Sequence, residues 1–195
     1  MGCGCFNFFS SSHHNNIKSY KVINKYFIAC LNGDLDTVQE MYKKTLKKNP
    51  EKAKKLAERG FIDGCLCGHM FISEWLLNNA RELDIHVEDD AAFRVSCINE
   101  NKKIVEWLLQ LGGVNIHCRN DSVFKNLLLA GKLEMCKFIY SLDGENIKLD
   151  WNELFIILCK NTNNSKVMAD YLYSIRNKDI DRTLYLSFLH PEIID

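Results

Sequence analysis

Helix-breaking residues are scarce in this sequence. Only Pro50 and Pro191 occur in 195 residues, which disfavours folds dense in strands and tight turns and permits helices almost everywhere. Long apolar runs are also missing: Lys, Asp, Glu or Asn interrupts every stretch before the roughly 20 residues that cross a bilayer. No opening segment combines an apolar centre with a small-residue cleavage site, and the nine cysteines are an odd number. Both points favour reduced thiols in the cytoplasm over a disulfide framework. Finally, no Gly-rich phosphate loop is present, and no Ser, Cys or carboxylate stands in a nucleophile motif. The expectation is a chain that is not an enzyme and takes no cofactor.

What the chain does contain is enough apolar material for a core, 47% of its residues. Its formal charge is zero, but unevenly spread: residues 1–60 carry eleven Lys or Arg against five Asp or Glu, and residues 61–195 carry fourteen against twenty. Nineteen of the 25 basic residues are Lys, and Asn and Ile are abundant, the usage of an AT-rich genome.

The dominant signal is internal repetition. Ile85, Ile116 and Ile147 are 31 residues apart, and the same phase is kept by Phe93, Phe124 and Phe155, by Trp107 and Phe138, by Ile104 and Met135, and by His86 and His117. Phe61, Cys65, Gly68 and Trp75 give an earlier copy offset by 32, and Tyr26, Cys30, Gly33, Val38 and Met41 a weaker first one. Ile180 and Phe188 repeat the Ile-to-Phe spacing of eight. Within each unit an apolar pair four apart marks a first helix, and Gly33, Gly68 and Gly131 stand where it should end. A second helix follows, with an apolar stripe as broad as Ile104, Val105, Trp107, Leu108 and Leu111, which suits a helix sandwiched between neighbours.

The segments LNGDLDTV (31–38), CGHMFISEWLL (67–77) and AGKLEMCKFI (130–139) resemble the ankyrin-repeat core, and the likeness covers about residues 20–190. It is closest in kind to the degenerate ankyrin-repeat proteins of large, mimivirus-like DNA viruses, in which a link like Asn115-Ile116-His117 precedes an aromatic-led helix. The resemblance implies an all-α, ankyrin-like solenoid of about five helix-turn-helix repeats, near 20–60, 61–90, 91–121, 122–152 and 153–183, with a cap at 184–195. Departures are a period of 31 and the replacement of the Thr-Pro-Leu-His start by Ala91-Ala92-Phe93-Arg94 and Ser122-Val123-Phe124-Lys125. Shortened β-hairpin fingers are expected from these. Glu100 and Thr162 stand where glycine would end the first helix, implying irregular outer repeats.

Three stretches lie outside the pattern. Residues 43–60, KKTLKKNPEKAKKLAERG, read as the end of one helix and then another stopped at Gly60. Their lysines, without interleaved aromatics, read as a solvated face, so no nucleic-acid partner is expected. Residues 1–16 read as a flexible tail ahead of a repeat domain spanning 17–195. The opening has the pattern for myristoylation of Gly2 and palmitoylation of Cys3 and Cys5, with Phe6 where Ser or Thr is preferred. Lys18, Lys21 and Lys25 on one helical face would add basic charge for a membrane surface. An unmodified tail is the competing reading. The ending Phe188–Ile194 resembles the start of F-box-like segments but is too short for that module, and reads as a helical cap.

Cys30, Cys65, Cys97 and Cys159, with Leu128 in the remaining copy, occupy the small buried position of the first helix. Cys65, Cys67 and His69 have ligand chemistry. Cys65 should face inward and Cys67 outward, however, and no second Cys-x-x-Cys completes a site, so no metal is expected. His86 and His117 read as link residues that hydrogen-bond locally, since Lys148 takes their place in the next unit; His13 and His14 belong to the tail. Trp75, Trp107 and Phe138 read as core.

The position after the cysteine holds Leu31, Leu66, Ile98 and Leu129, with Lys160 breaking the row. In the family this position faces the concave groove. The resemblance therefore implies an apolar stripe that binds another protein, rimmed by Asn32, Cys67, Asn99, Arg119, Asn120 and Asp121. Burial of the row against altered fingers or the tail is the alternative. Neither the partner nor the oligomeric state is legible.

Overall fold

A computed structural model describes residues 17–160 and 165–189, which form two compact units, one up to Val114 and one from Asn115. Among the described residues the chain is all helical, with no strand. The first unit holds α1 (Ile17–Asn32), α2 (Leu35–Lys48), α3 (Pro50–Cys67), α4 (Met70–Asn79), α5 (Val87–Ile98) and α6 (Lys102–Leu111). The second holds α7 (Cys118–Leu129), α8 (Leu133–Asp143), a 3-10 turn (Gly144–Asn146), α9 (Trp151–Lys160), α10 (Ser165–Arg176) and α11 (Arg182–Leu189). No described helix is long and apolar enough to cross a membrane. Residues 1–16, with Gly2, Cys3, Cys5, Phe6, His13 and His14, lie outside the described residues, as do Thr162, the side chains of Lys18 and Lys21, and the last six residues.

In the first unit the helices pair off, α1 with α2, α3 with α4 and α5 with α6, and the first members lie against one another, α1 on α3 and α3 on α5. In the second, α7 packs on α8 and α9, and α9 on α10 and α11. The 31-residue register is what the packing uses. Phe61, Phe93, Phe124 and Phe155 are each at most 1% exposed. Phe61 packs on Trp107 with ring centroids 5.9 Å apart, and Phe124 sits between Tyr140 and Trp151 at 5.8 and 6.3 Å. Cys30, Cys65, Cys97 and Leu128 are buried as their position requires, while Cys159 is half-buried. Trp75, Trp107 and Phe138 are half-buried, at the border of the core.

The insert in the first unit differs from the expectation. Two helices do occur, joined by Asn49 alone, whose backbone caps the end of α2 and whose side chain accepts Lys52 N at 2.9 Å at the start of α3, with Pro50 at the first helical position. Gly60, however, does not stop α3, which runs unbroken to Cys67. The glycine is there for contact. A Cβ at Gly60 would stand 2.4 Å from the Tyr26 hydroxyl and 2.9 Å from Leu76 Cδ1, so only hydrogen lets α1 and α4 approach this closely.

The links are a second difference. Glu88, Asp89 and Asp90 all adopt left-handed backbone, φ 55 to 57°, and Arg119, Asn120 and Asp121 do the same at φ 52 to 58°. Each non-glycine residue there costs on the order of 1 kcal/mol, so side chains must hold the turn. Arg94 donates from Nε to the Asp89 carbonyl at 2.9 Å and from Nη2 to that of Glu88 at 2.7 Å. His86 Nδ1 meets Asp90 Oδ1 at 2.6 Å, and His117 Nδ1 meets Asp121 Oδ1 in the same way. The histidines do bond locally, and their partner is the aspartate four residues on.

Candidate binding surface

The predicted binding row lies at the ends of the first helices, and those ends share one geometry. Asp34 N, His69 N and Asn101 N donate to Ala29 O, Gly64 O and Ser96 O at 2.8 to 2.9 Å, while Gly33 N, Gly68 N and Glu100 N donate to Cys30 O, Cys65 O and Cys97 O. This is the Schellman ending, with a left-handed residue just past the helix. Gly33, Gly68 and Glu100 have φ of 73°, 81° and 57°, and Gly131 ends α7 identically at 71°. Glu100 therefore keeps the regular turn, a correction to the irregularity expected there. Because a glutamate is strained at this φ, Glu100→Gly is expected to stabilise the first unit by about 1 kcal/mol. Chemical unfolding checks this, and an unchanged midpoint would mean that the Glu100 side chain offsets its own strain.

Consecutive ends in the first unit are fastened together. His69 Nε2 donates to Leu31 O at 3.0 Å, and Asn101 Nδ2 reaches Cys65 O and Leu66 O at 3.0 and 3.1 Å. Each of these side chains opens a second helix and caps the preceding repeat. The fastened ends carry Leu31, Leu66 and Ile98, each two residues before the left-handed residue that closes its helix. Leu31 and Leu66 are half-buried and Ile98 is 38% exposed. Of the predicted rim, Asn32 and Asn99 are exposed beside the row and Cys67 is half-buried.

In the second unit Leu129 is half-buried, and Arg119 and Asn120 are exposed on the left-handed turn. Asp121 does not belong to a rim: it is 5% exposed, with Oδ1 on His117 and Oδ2 accepting Lys148 N at 2.8 Å. Asn152 repeats the device, accepting Asp181 N at 2.8 Å. Sequence reasoning missed this clasp, although its signal was there: His86 with Asp90 and His117 with Asp121 share one spacing, and Asn152 is in phase with both aspartates. His117 Nε2 also meets Asp143 Oδ2 at 3.3 Å beside a polar cavity of about 530 Å³. Burial lowers the affinity of His117 for its proton, but the bonds and charges of Asp121 and Asp143 outweigh it and hold the imidazole above its ordinary range.

No family model, curated protein or solved structure matches the chain. The functional reading rests on its own geometry. Among the described residues no group of three or more His, Cys, Asp or Glu is placed to hold a metal ion. Burial pushes the Cys30 thiol up, that of Cys65 up to about 12 and that of Cys159 up to about 11, so all three stay protonated at neutral pH.

Proposed function

We propose that the chain is a noncatalytic protein-binding adaptor, an ankyrin-like solenoid with shortened fingers that holds a partner through the apolar row at its first-helix ends. The observation that supports this is the row itself: three aliphatic side chains at equivalent positions on neighbouring helices, held in line by His69 and Asn101, with Ile98 open to solvent and Asn32 and Asn99 beside it. An aliphatic row that is partly open at a repeated position offers apolar area that a partner could cover. Arg119, Asn120 and Leu129 of the second unit belong to the same reading by their place in the repeat. The resemblance to viral ankyrin-repeat proteins is what suggests a partner at a virus–host interface in the cytoplasm, as part of the same proposal.

The test is Leu66→Glu combined with Ile98→Glu. The double variant should lose partner capture by at least about tenfold, because a bound partner would bury two unpaired carboxylates, while helicity and melting temperature stay close to wild type. Unfolding of the double variant would assign the row to the core and end this reading. Affinity purification with mass spectrometry, wild type against the variant, identifies the partner.

A second reading is a membrane-tethered adaptor, acylated at Gly2, Cys3 and Cys5 and aided by a basic amino-terminal region. The charge available to it lies between Lys43 and Arg59, where the whole +6 of residues 1–60 arises, while residues 1–42 sum to zero. Hydroxylamine release of a labelled acyl group, wild type against Gly2→Ala, tests it.

A further inference from the structure

The α2–α3 corner carries a charge that nothing in the fold uses. Lys43, Lys44, Lys47, Lys48, Lys52 and Lys55 are all exposed. None of them forms an ion pair among the described residues, and the one contact of this kind is Lys43 Nζ over the Trp75 ring at 5.7 Å. Part of the arrangement works against folding, although Lys47 and Lys48 lie in the last turn of α2, where the helix dipole favours a cation. Lys43 with Lys47 and Lys44 with Lys48 are like charges four apart on one helix, which repel, and Lys52 sits in the first turn of α3, where the helix dipole disfavours a cation. The single-residue turn at Asn49 then brings the last turn of α2 against the first turn of α3, concentrating the charge further. Within this cluster stands Leu46, 40% exposed, an aliphatic side chain on the flank of the lysine face.

We propose that this corner is a docking surface for an anionic lipid bilayer, in which the lysines meet the headgroups and Leu46 enters the interface. The charge is complementary to such a surface, and the chemistry separates it from nucleic acid. All six cations are Lys, compact point charges suited to a diffuse negative plane, whereas phosphate forks are matched by Arg. Residues 43–60 also hold no aromatic on which a base could stack. Basic clusters with a flanking apolar side chain are how peripheral segments combine electrostatic attraction with shallow insertion. The proposal deepens the membrane-associated reading above but does not need the acyl chains.

The experiment uses the full chain made in bacteria, where no acyl group is attached, with vesicles of phosphatidylcholine alone or mixed with phosphatidylserine. Wild type should float with the mixed vesicles, not with phosphatidylcholine, and binding should fall as salt is raised. At about fivefold per lysine, the quadruple variant Lys47→Glu, Lys48→Glu, Lys52→Glu, Lys55→Glu should lose at least about a hundredfold. Leu46→Ser should lose about tenfold. Both should stay folded and melt within a few degrees of wild type, since the quadruple variant relieves repulsion and places acids at the start of α3 while losing the favourable cations at the end of α2, and Leu46→Ser changes a side chain outside the core.

Three outcomes would overturn the proposal: equal flotation with neutral vesicles, undiminished binding by the quadruple variant, or release from mixed vesicles by an RNA oligonucleotide that binds the corner more tightly. Failure of acylation alone, read from the Gly2→Ala comparison, leaves the vesicle result standing, so the two readings fail separately.

Discussion

Asp121→Ala is expected to destabilise the second unit by about 1–3 kcal/mol, the loss typical of leaving hydrogen-bonding groups in the fold without their partner. Asp121 is 5% exposed and both its oxygens are used, one on His117 and one on the backbone N–H of Lys148 in the next link. Alanine leaves that N–H without its acceptor and frees the imidazole. It is also no better suited than aspartate to φ 58°. For a unit of this size the midpoint should fall by roughly 4–8 °C per kcal/mol. Asp121→Asn should cost distinctly less, because an amide oxygen can still accept from Lys148, as Asn152 accepts from Asp181. Wild-type melting of the alanine variant would show that the link is held by something else. The pairing also sets a direction with pH. Because His117 is raised in the fold, its contribution is fully present below its unfolded value of about 6.5 and fades as pH climbs through the higher folded value.

The second large effect concerns the first unit. Asp63 is fully buried on α3, and burial pushes its carboxyl up to about 6, against the pull of Arg59, whose Nη2 lies 2.9 Å from Oδ1 and whose Nε donates to Oδ2 at 3.1 Å. A carboxyl raised above its unfolded value of about 3.9 binds its proton more tightly in the fold, so stability grows as pH falls from 6 to 4. A shift of about two units corresponds to about 3 kcal/mol. Asp63→Asn, which cannot ionise, should flatten that part of the profile, as measured by urea unfolding across the window. A slope equal to wild type would place its origin in another group. Removing Arg59 instead should extend the pH dependence to higher pH, since the buried carboxylate would then stand uncompensated and hold its proton longer.

Much of this was readable in the residues because periodic burial leaves a periodic trace. The four phenylalanines, the cysteine column and the glycines at the helix ends were all placed by spacing, and each took the position its register required except Cys159, which is half-buried. What escaped notice were places where one interaction overrides a residue's usual preference. Gly60 carries the mark of a helix stop, but the approach of Tyr26 makes it an interior residue. Glu88 and Arg119 carry no mark of left-handed backbone, and Asp89 and Asn120 only a weak one; three such residues in succession occur where His86 with Asp90 and His117 with Asp121 close the turn around them. Asp121 looked like a surface residue because aspartate usually is one. The apolar row was located by phase, but its half-burial follows from how tightly neighbouring ends are drawn together, which no single repeat encodes.

The ties made by His69 and Asn101 have a directional consequence. Each adds a bond to the helix that came before it, so a newly made repeat leaves the ribosome without the side-chain donor for its Leu31 or Leu66 carbonyl until some three dozen further residues have emerged. Assembly of the first unit is therefore always one step behind synthesis, and a chain cut short within it loses the fastening of a helix already made.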